Sequence, residues 1–464
     1  MFASLRREPG FYRRLFTLAL PLVLQNLITT SLGFVDTFMV GLLGNRELSA
    51  VTAANVPIFL LQVIIFGLMS GLTVLVSQYW GRGDAGAINR AMGVAMYLGL
   101  AIAAAMAALL YLAPGRVLRL VTDNAVLVEL GTPYLRIVGF SYLFNSVSSV
   151  YVSMQRSTEN PRFGLRVFTA SMLLNTFGNY VLIFGHFGAP ALGITGAAIA
   201  TLLSRVAEFV IALTFALTDR RVPLHLRALL RPGTDMLRRF VRYAAPVVFN
   251  ETLWGVGTSV LTAVMGHMVI STDMLAAYAI MGNIDKFSTV ACFGLAGATA
   301  VIVGKRIGEG ADREEVYSLG VCLLLTALLA GTVIALALAV ALPTFFLPVL
   351  YPLFRLSARA TSIAVTMCVV YACTMPARAF DISNITGLLR AGGDARVAAA
   401  IDLCPLWLVA LPLTALTALV WNAPVTAVCL AIQAENFCKM PVGILRLRSR
   451  RWINNVTVRG EDAQ

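Results

Sequence analysis

The sequence predicts an all-α integral membrane protein with twelve transmembrane helices in two six-helix repeats. Three observations carry that prediction: a composition poor in charge, apolar runs along the whole chain, and a residue pattern written twice. Of 464 residues, 58% are hydrophobic and 13% charged, whereas a soluble globular protein carries about 25% charged residues. Mean hydropathy is +0.81.

A helix of about 20 apolar residues crosses a hydrocarbon core roughly 30 Å thick. In chain order such runs fall at approximately 15–40, 50–79, 91–113, 131–154, 164–187, 193–217, 240–263, 275–303, 316–342, 360–388, 397–419 and 424–445. Several exceed the minimum, so tilt, kinks or extension beyond the bilayer are expected. The polar connections are too short to hold a soluble domain. The first run is too long for a cleavable signal peptide and lacks a small-residue cleavage site.

The net charge of +13 is distributed by membrane side. With a cytoplasmic N-terminus, the outer segments hold only Arg46, Arg116, Arg119, Arg136, Arg355 and Arg359, and Arg205, Lys286 and Arg378 fall inside spans. All other Lys and Arg are on the inner side. That bias is the positive-inside rule and predicts a multi-pass protein of the plasma (inner) membrane with both termini cytoplasmic. No basic stretch sits on a soluble module, so nucleic-acid binding is not expected. The seven Cys lie in or near apolar spans without metal-binding spacing and read as small buried hydrophobes. His186, His225 and His267 are too scattered for a metal cluster.

The second half repeats the first. Phe66, Gly67 and Leu68 recur as Phe293, Gly294 and Leu295, and Val74, Val76, Gly81 and Gly83 as Val301, Val303, Gly308 and Gly310. Upstream, Pro21 and Gly41 recur as Pro246 and Gly266. Six helices per copy leave both copies in the same orientation, related by a pseudo-two-fold along the membrane normal, as in transporters built from parallel repeats. The expected organisation is an N-lobe over 1–218, a basic cytoplasmic connector over 219–239 and a C-lobe over 240–464. Pro21 and Pro246 start the two cognate helices, and each is a candidate hinge because Pro removes an i→i−4 bond.

Charges that lipid excludes mark a site. A carboxylate at mid-membrane costs several kcal/mol, so it faces a cavity or a partner. Glu251 follows Arg242 by nine residues and Asp381 precedes Arg390 by nine. With both arginines taken as cytoplasmic, each acid lies about 13 Å deep. Asp36 lies at a similar depth from the outer side, as does Asn175 from the inner, and Asn179 follows Asn175 on the same helix face. In the repeat Glu251 aligns with Asn26 and Asp36 with Leu261, so the two lobes carry their acids at different positions. Structural roles compete. Glu251 has a neighbouring helix to bond, Asp381 has Arg378 at i−3, and Arg205 with Glu208 reads as a structural pair. Lys439 or water would satisfy Asp402 and Glu435. The roles of Asp285 and Lys286 stay open.

"LALPLVLQNLITTSLGFVDTFMVGLLG" (18–44) resembles the first helix of the multidrug and toxic compound extrusion (MATE) transporters, and "LNTFGNYVLIFG" (174–185) the fifth. "APVVFNETL" (245–253) is similar to the acidic seventh helix and "FDISNITGLLRAGGD" (380–394) to the tenth. The resemblance runs over essentially the whole chain. It implies two six-helix lobes around a V-shaped central cavity that alternates between membrane faces. It implies export of amphipathic, often cationic compounds in exchange for H⁺ or Na⁺, without other cofactors, by a monomer. Asp36, Asn175 and Asn179 would then form the N-lobe ion site, and Glu251 and Asp381 the C-lobe cation site, each able to take Na⁺. One branch of the family has an acid where Asn179 stands; this sequence looks more like the bacterial norfloxacin-exporter branch, which leaves the coupling ion open.

Two other classes are weaker. A flippase for a lipid-linked saccharide on a related scaffold needs several free Arg or Lys in the cavity to hold an anionic headgroup. An intramembrane enzyme needs a catalytic set, and the sequence has no HExxH or GxSxG. "GRGDAGAINRA" (81–91) lacks the Lys-Ser/Thr of a phosphate-binding loop, so ATP is not the expected energy source.

Overall fold

Backbone N–H and C=O groups in lipid must be satisfied within the segment, and the α-helix does so without an edge. The computed structural model, described over residues 9–354 and 356–458, is helical, with no strand among the described residues. Arg355, counted above on the outer side, lies outside them.

Among the described residues, twelve helices are long and apolar enough to cross a membrane. They are α1 (Pro9–Gly41), α2 (Asn45–Arg82), α3 (Ala85–Leu112), α4 (Ala125–Ser157), α5 (Pro161–Phe184) and α6 (Gly193–Thr218), followed by α7 (Thr234–Gly266), α8 (Ser271–Gly308), α9 (Arg313–Leu353), α10 (Ala358–Leu389), α11 (Ala395–Val420) and α12 (Val425–Ser449). Polar connections start helices by capping: Asp84 accepts from the Ala87 N–H, Asn124 from Val126 and Asp312 from Glu314, satisfying donors that a helix N-terminus leaves open. The repeat is visible in length, since α1 and α7 have 33 residues each and α2 and α8 have 38 each.

Packing divides the chain into two compact units, Leu24–Val248 and a second formed by the segment up to Val23 with Phe249–Gln464. The boundaries differ from the lobe limits at 218 and 240. They fall inside α1 and α7, in each case two residues beyond the repeated proline. Pro21 and Pro246 do not start these helices but lie well inside them. The reason is local. A 33-residue helix is about 50 Å long, so its two ends have different neighbours. Within the first unit, a Cβ on Gly67 would lie 2.7 Å from the Val248 Cα. Within the second, a Cβ on Gly294 would lie 2.8 Å from the Val23 nitrogen. The glycine of each repeated Phe-Gly-Leu therefore seats the stretch just after a repeated proline, the close backbone approach that small residues permit between membrane helices.

Four cysteines (Cys292, Cys322, Cys368 and Cys429) are buried as expected, whereas Cys373 and Cys404 are exposed. At the C-terminal end Trp452 is fully buried and donates its indole N–H to the Leu447 carbonyl (3.1 Å), while the Asn454 N–H bonds the Gly392 carbonyl (2.9 Å).

Candidate ion and substrate sites

In the first unit, Asp36 near the end of α1 meets two amides from α5. Asn179 Nδ2 donates to Asp36 Oδ1 at 2.6 Å and to Asn175 Oδ1 at 3.1 Å. Asn175 Nδ2 reaches Thr201 Oγ1 on α6 at 3.4 Å. Both asparagines are buried, and their i,i+4 spacing turns them the same way. The Asn179 Oδ1 has no hydrogen-bond partner among the described residues. The site thus offers a carboxylate and an orphaned amide oxygen, donors suited to a proton or a hard cation. Arg205 is held elsewhere, on its own helix. Its Nη1 lies 2.6 Å from Glu208 Oε1, closing the i,i+3 pair read from sequence.

In the second unit, Glu251 and Asp381 line one cavity of about 240 Å³. That is below the ~300–1,000 Å³ of drug-sized pockets, so it suits an ion or a substituent better than a whole amphipathic compound. Its wall carries five carboxylates (Glu251, Asp285, Asp381, Asp402, Glu435) and four cations (Lys286, Arg378, Arg390, Lys439). Most are paired. Lys439 Nζ lies 2.8 Å from both Asp402 and Glu435, as the sequence suggested, and Asn250 Nδ2 donates to Asp402 at 2.9 Å.

One competing structural reading falls and one expectation is corrected. Arg378 does not neutralise Asp381 at i−3. It pairs with Asp285 on α8 at 3.0 Å and lies over the Tyr371 ring at 4.4 Å. Among the described residues neither Asp381 carboxylate oxygen has a hydrogen-bond partner, although the residue is buried. Arg390 is not a water-facing marker for depth. It is 2% exposed, and its Nη2 donates to Glu251 Oε1 at 2.7 Å.

Winding explains why Arg390 was missed. Nine residues of α-helix make two and a half turns, which would put Asp381 and Arg390 on opposite faces. Residues Ser383–Leu389 are instead a π-helix, wound with i→i+5 bonds and frequent at functional sites. Asp381, Ile385, Thr386 and Arg390 consequently all line the cavity. Lys439, by contrast, was visible from sequence as i+4 from Glu435.

The sequence model of the MatE family matches residues 21–181 and again 246–416. The chain belongs to the MatE family. The double match begins at the two repeated prolines, so the duplication is that of the MATE fold itself. Relatives spanning most of this MATE chain include the "Uncharacterized transporter YisQ" of Bacillus subtilis, 24% identical over 95% of this chain and 94% of its own. The "Probable multidrug resistance protein NorM" of Bradyrhizobium diazoefficiens is 27% identical over 93% and 92%. Among solved structures, the outward-facing conformation of a multidrug resistance MATE transporter of the MOP superfamily superposes with a TM-score of 0.85 at 19% identity, covering 97% of each chain. The bent form of the Vibrio cholerae MATE transporter VcmN gives 0.84 at 20% identity, over 97% of this chain and 100% of that one. These likenesses place the twelve-helix MATE fold over nearly the whole chain.

Proposed function

We propose that this MATE chain is a secondary antiporter that exports amphipathic organic cations in exchange for inward H⁺ or Na⁺. It acts as a monomer in the inner membrane with both termini cytoplasmic. The observation that carries the reading is a buried carboxylate in a membrane-spanning helix, Asp381, with no partner on either oxygen among the described residues; Asp36 supplies a separate acid site in the other unit. Multidrug resistance proteins among the relatives support the substrate class.

In this reading the organic cation and the coupling ion compete for the carboxylates as each site opens alternately to the two membrane faces, with Pro21 and Pro246 as hinges. When Asp36, held by Asn179, or Asp381 takes up the ion, the cationic drug loses its counter-charge and leaves outward. One charge moved through 100 mV is worth about 2.3 kcal/mol, enough for tens-fold accumulation per net charge. The cavity cations do not favour a flippase, because five acids outnumber them and three of the four are ion-paired.

The test is efflux of a fluorescent organic cation from proteoliposomes under separately imposed proton and sodium gradients. Wild type is expected to respond to at least one gradient, and Asp36→Asn and Asp381→Asn, each folded, to lose most of that response. Undiminished ion-driven efflux in both variants would overturn the reading.

A further inference from the structure

The two acids of the second-unit cavity are not equivalent. Glu251 already has a cation, since the Arg390 guanidinium lies 2.7 Å from it and is itself almost wholly buried. Asp381 has none. Arg378, its near neighbour in sequence, is held by Asp285, and Lys439 by Asp402 and Glu435. The π-wound segment Ser383–Leu389 is what brings Arg390 to the wall that Asp381 also lines. An arginine stays protonated at any working pH and meets carboxylates through a rigid fork. The pair at Glu251 therefore opens only when a competitor displaces it, not through loss of a proton from its cation.

We infer that Arg390 is a resident counter-cation of Glu251 and sets the cation selectivity of this cavity: among its described carboxylates an incoming ion finds a free one at Asp381 and must displace a guanidinium to reach Glu251. This deepens the antiport reading and rests on it. Arg390 acts through Glu251, as a positioning residue. The first unit offers the contrast, because its Asp36 is held by a neutral amide and stays open to a cation.

The test is Na⁺ binding to the purified full-length protein, read as the Na⁺-specific rise in melting temperature against choline at constant ionic strength. Arg390→Met removes the charge while keeping most of the bulk. It is expected to tighten apparent Na⁺ binding at least tenfold by freeing a second carboxylate. Glu251→Gln/Arg390→Met should abolish that gain, and Arg390→Lys should behave like wild type. Unchanged or weaker Na⁺ binding in Arg390→Met, or an equal gain in the double variant, would overturn the proposal. If Arg390→Met alone fails to fold while the double variant folds, the charge pairing is supported. If both fail, Arg390 is a packing residue and the proposal falls. A wild type with no ion-driven efflux refutes the antiport reading instead, whatever the Na⁺ titration shows.

Discussion

Lys439 is the residue on which most charge depends. It is buried, and its ammonium holds two carboxylates at 2.8 Å. Removing one partner of a buried ion pair typically costs ~3–5 kcal/mol because it strands the other charge. Lys439→Met is therefore expected to lower the melting temperature strongly, and Lys439→Met/Asp402→Asn to recover part of the loss. An unaltered melting temperature in the single variant would contradict the ion triad. At Asn179, Asn179→Ala removes the amide that donates to Asp36 and Asn175. A hydrogen bond to a charged group is worth about 1.5–3 kcal/mol, and a destabilisation of that order is expected in thermal unfolding. Asn175 and Asn179 could be paired from spacing alone, since residues four apart share a helix face. The partner of Arg378 could not. Asp381 at i+3 satisfies the same spacing rule, yet Asp285 from another helix holds the guanidinium.

At the scale of elements, the π-wound end of α10 decides what the cavity contains. It packs closely: a Cβ on Gly387 would lie 2.9 Å from the Ala296 carbonyl oxygen and 3.1 Å from Thr299 Cβ on α8. Gly387→Ala must push these backbones apart, and overpacking of this kind costs about 1–3 kcal/mol. The melting temperature should fall, and cation binding should weaken with it, because Asp381 and Arg390 flank the same segment. The twelve spans themselves were legible, each observed helix overlapping one apolar run. The π winding was not legible: the segment packs against α8, α9 and α11, and its winding leaves no period in hydropathy.

For the molecule as a whole, the repeat is the governing feature. The same Phe-Gly-Leu glycine serves each unit, Gly67 beneath Val248 and Gly294 beneath Val23. Gly67→Ala and Gly294→Ala are each expected to destabilise by about 1–3 kcal/mol, read as lowered melting temperatures of the purified variants. If either substitution is neutral, that glycine is not the seat of the helix crossing it. The buried Trp452 closes the C-terminal end against Gly320 and Gly392. Trp452→Ala, a large-to-small change in a core, is expected to cost about 3–5 kcal/mol.

The amino-acid sequence by itself determined the number of spans, the duplication and the acids that lipid does not tolerate, because length, hydropathy and residue type act along the chain. Only the tertiary structure decided which cation sits on which acid, that Glu251 is occupied and Asp381 is not, and that α1 and α7 each divide between two units. Those outcomes depend on helix rotation and on the approach of one backbone to another. A charge chooses its partner across a few ångströms of space, and distance along the chain does not report that choice.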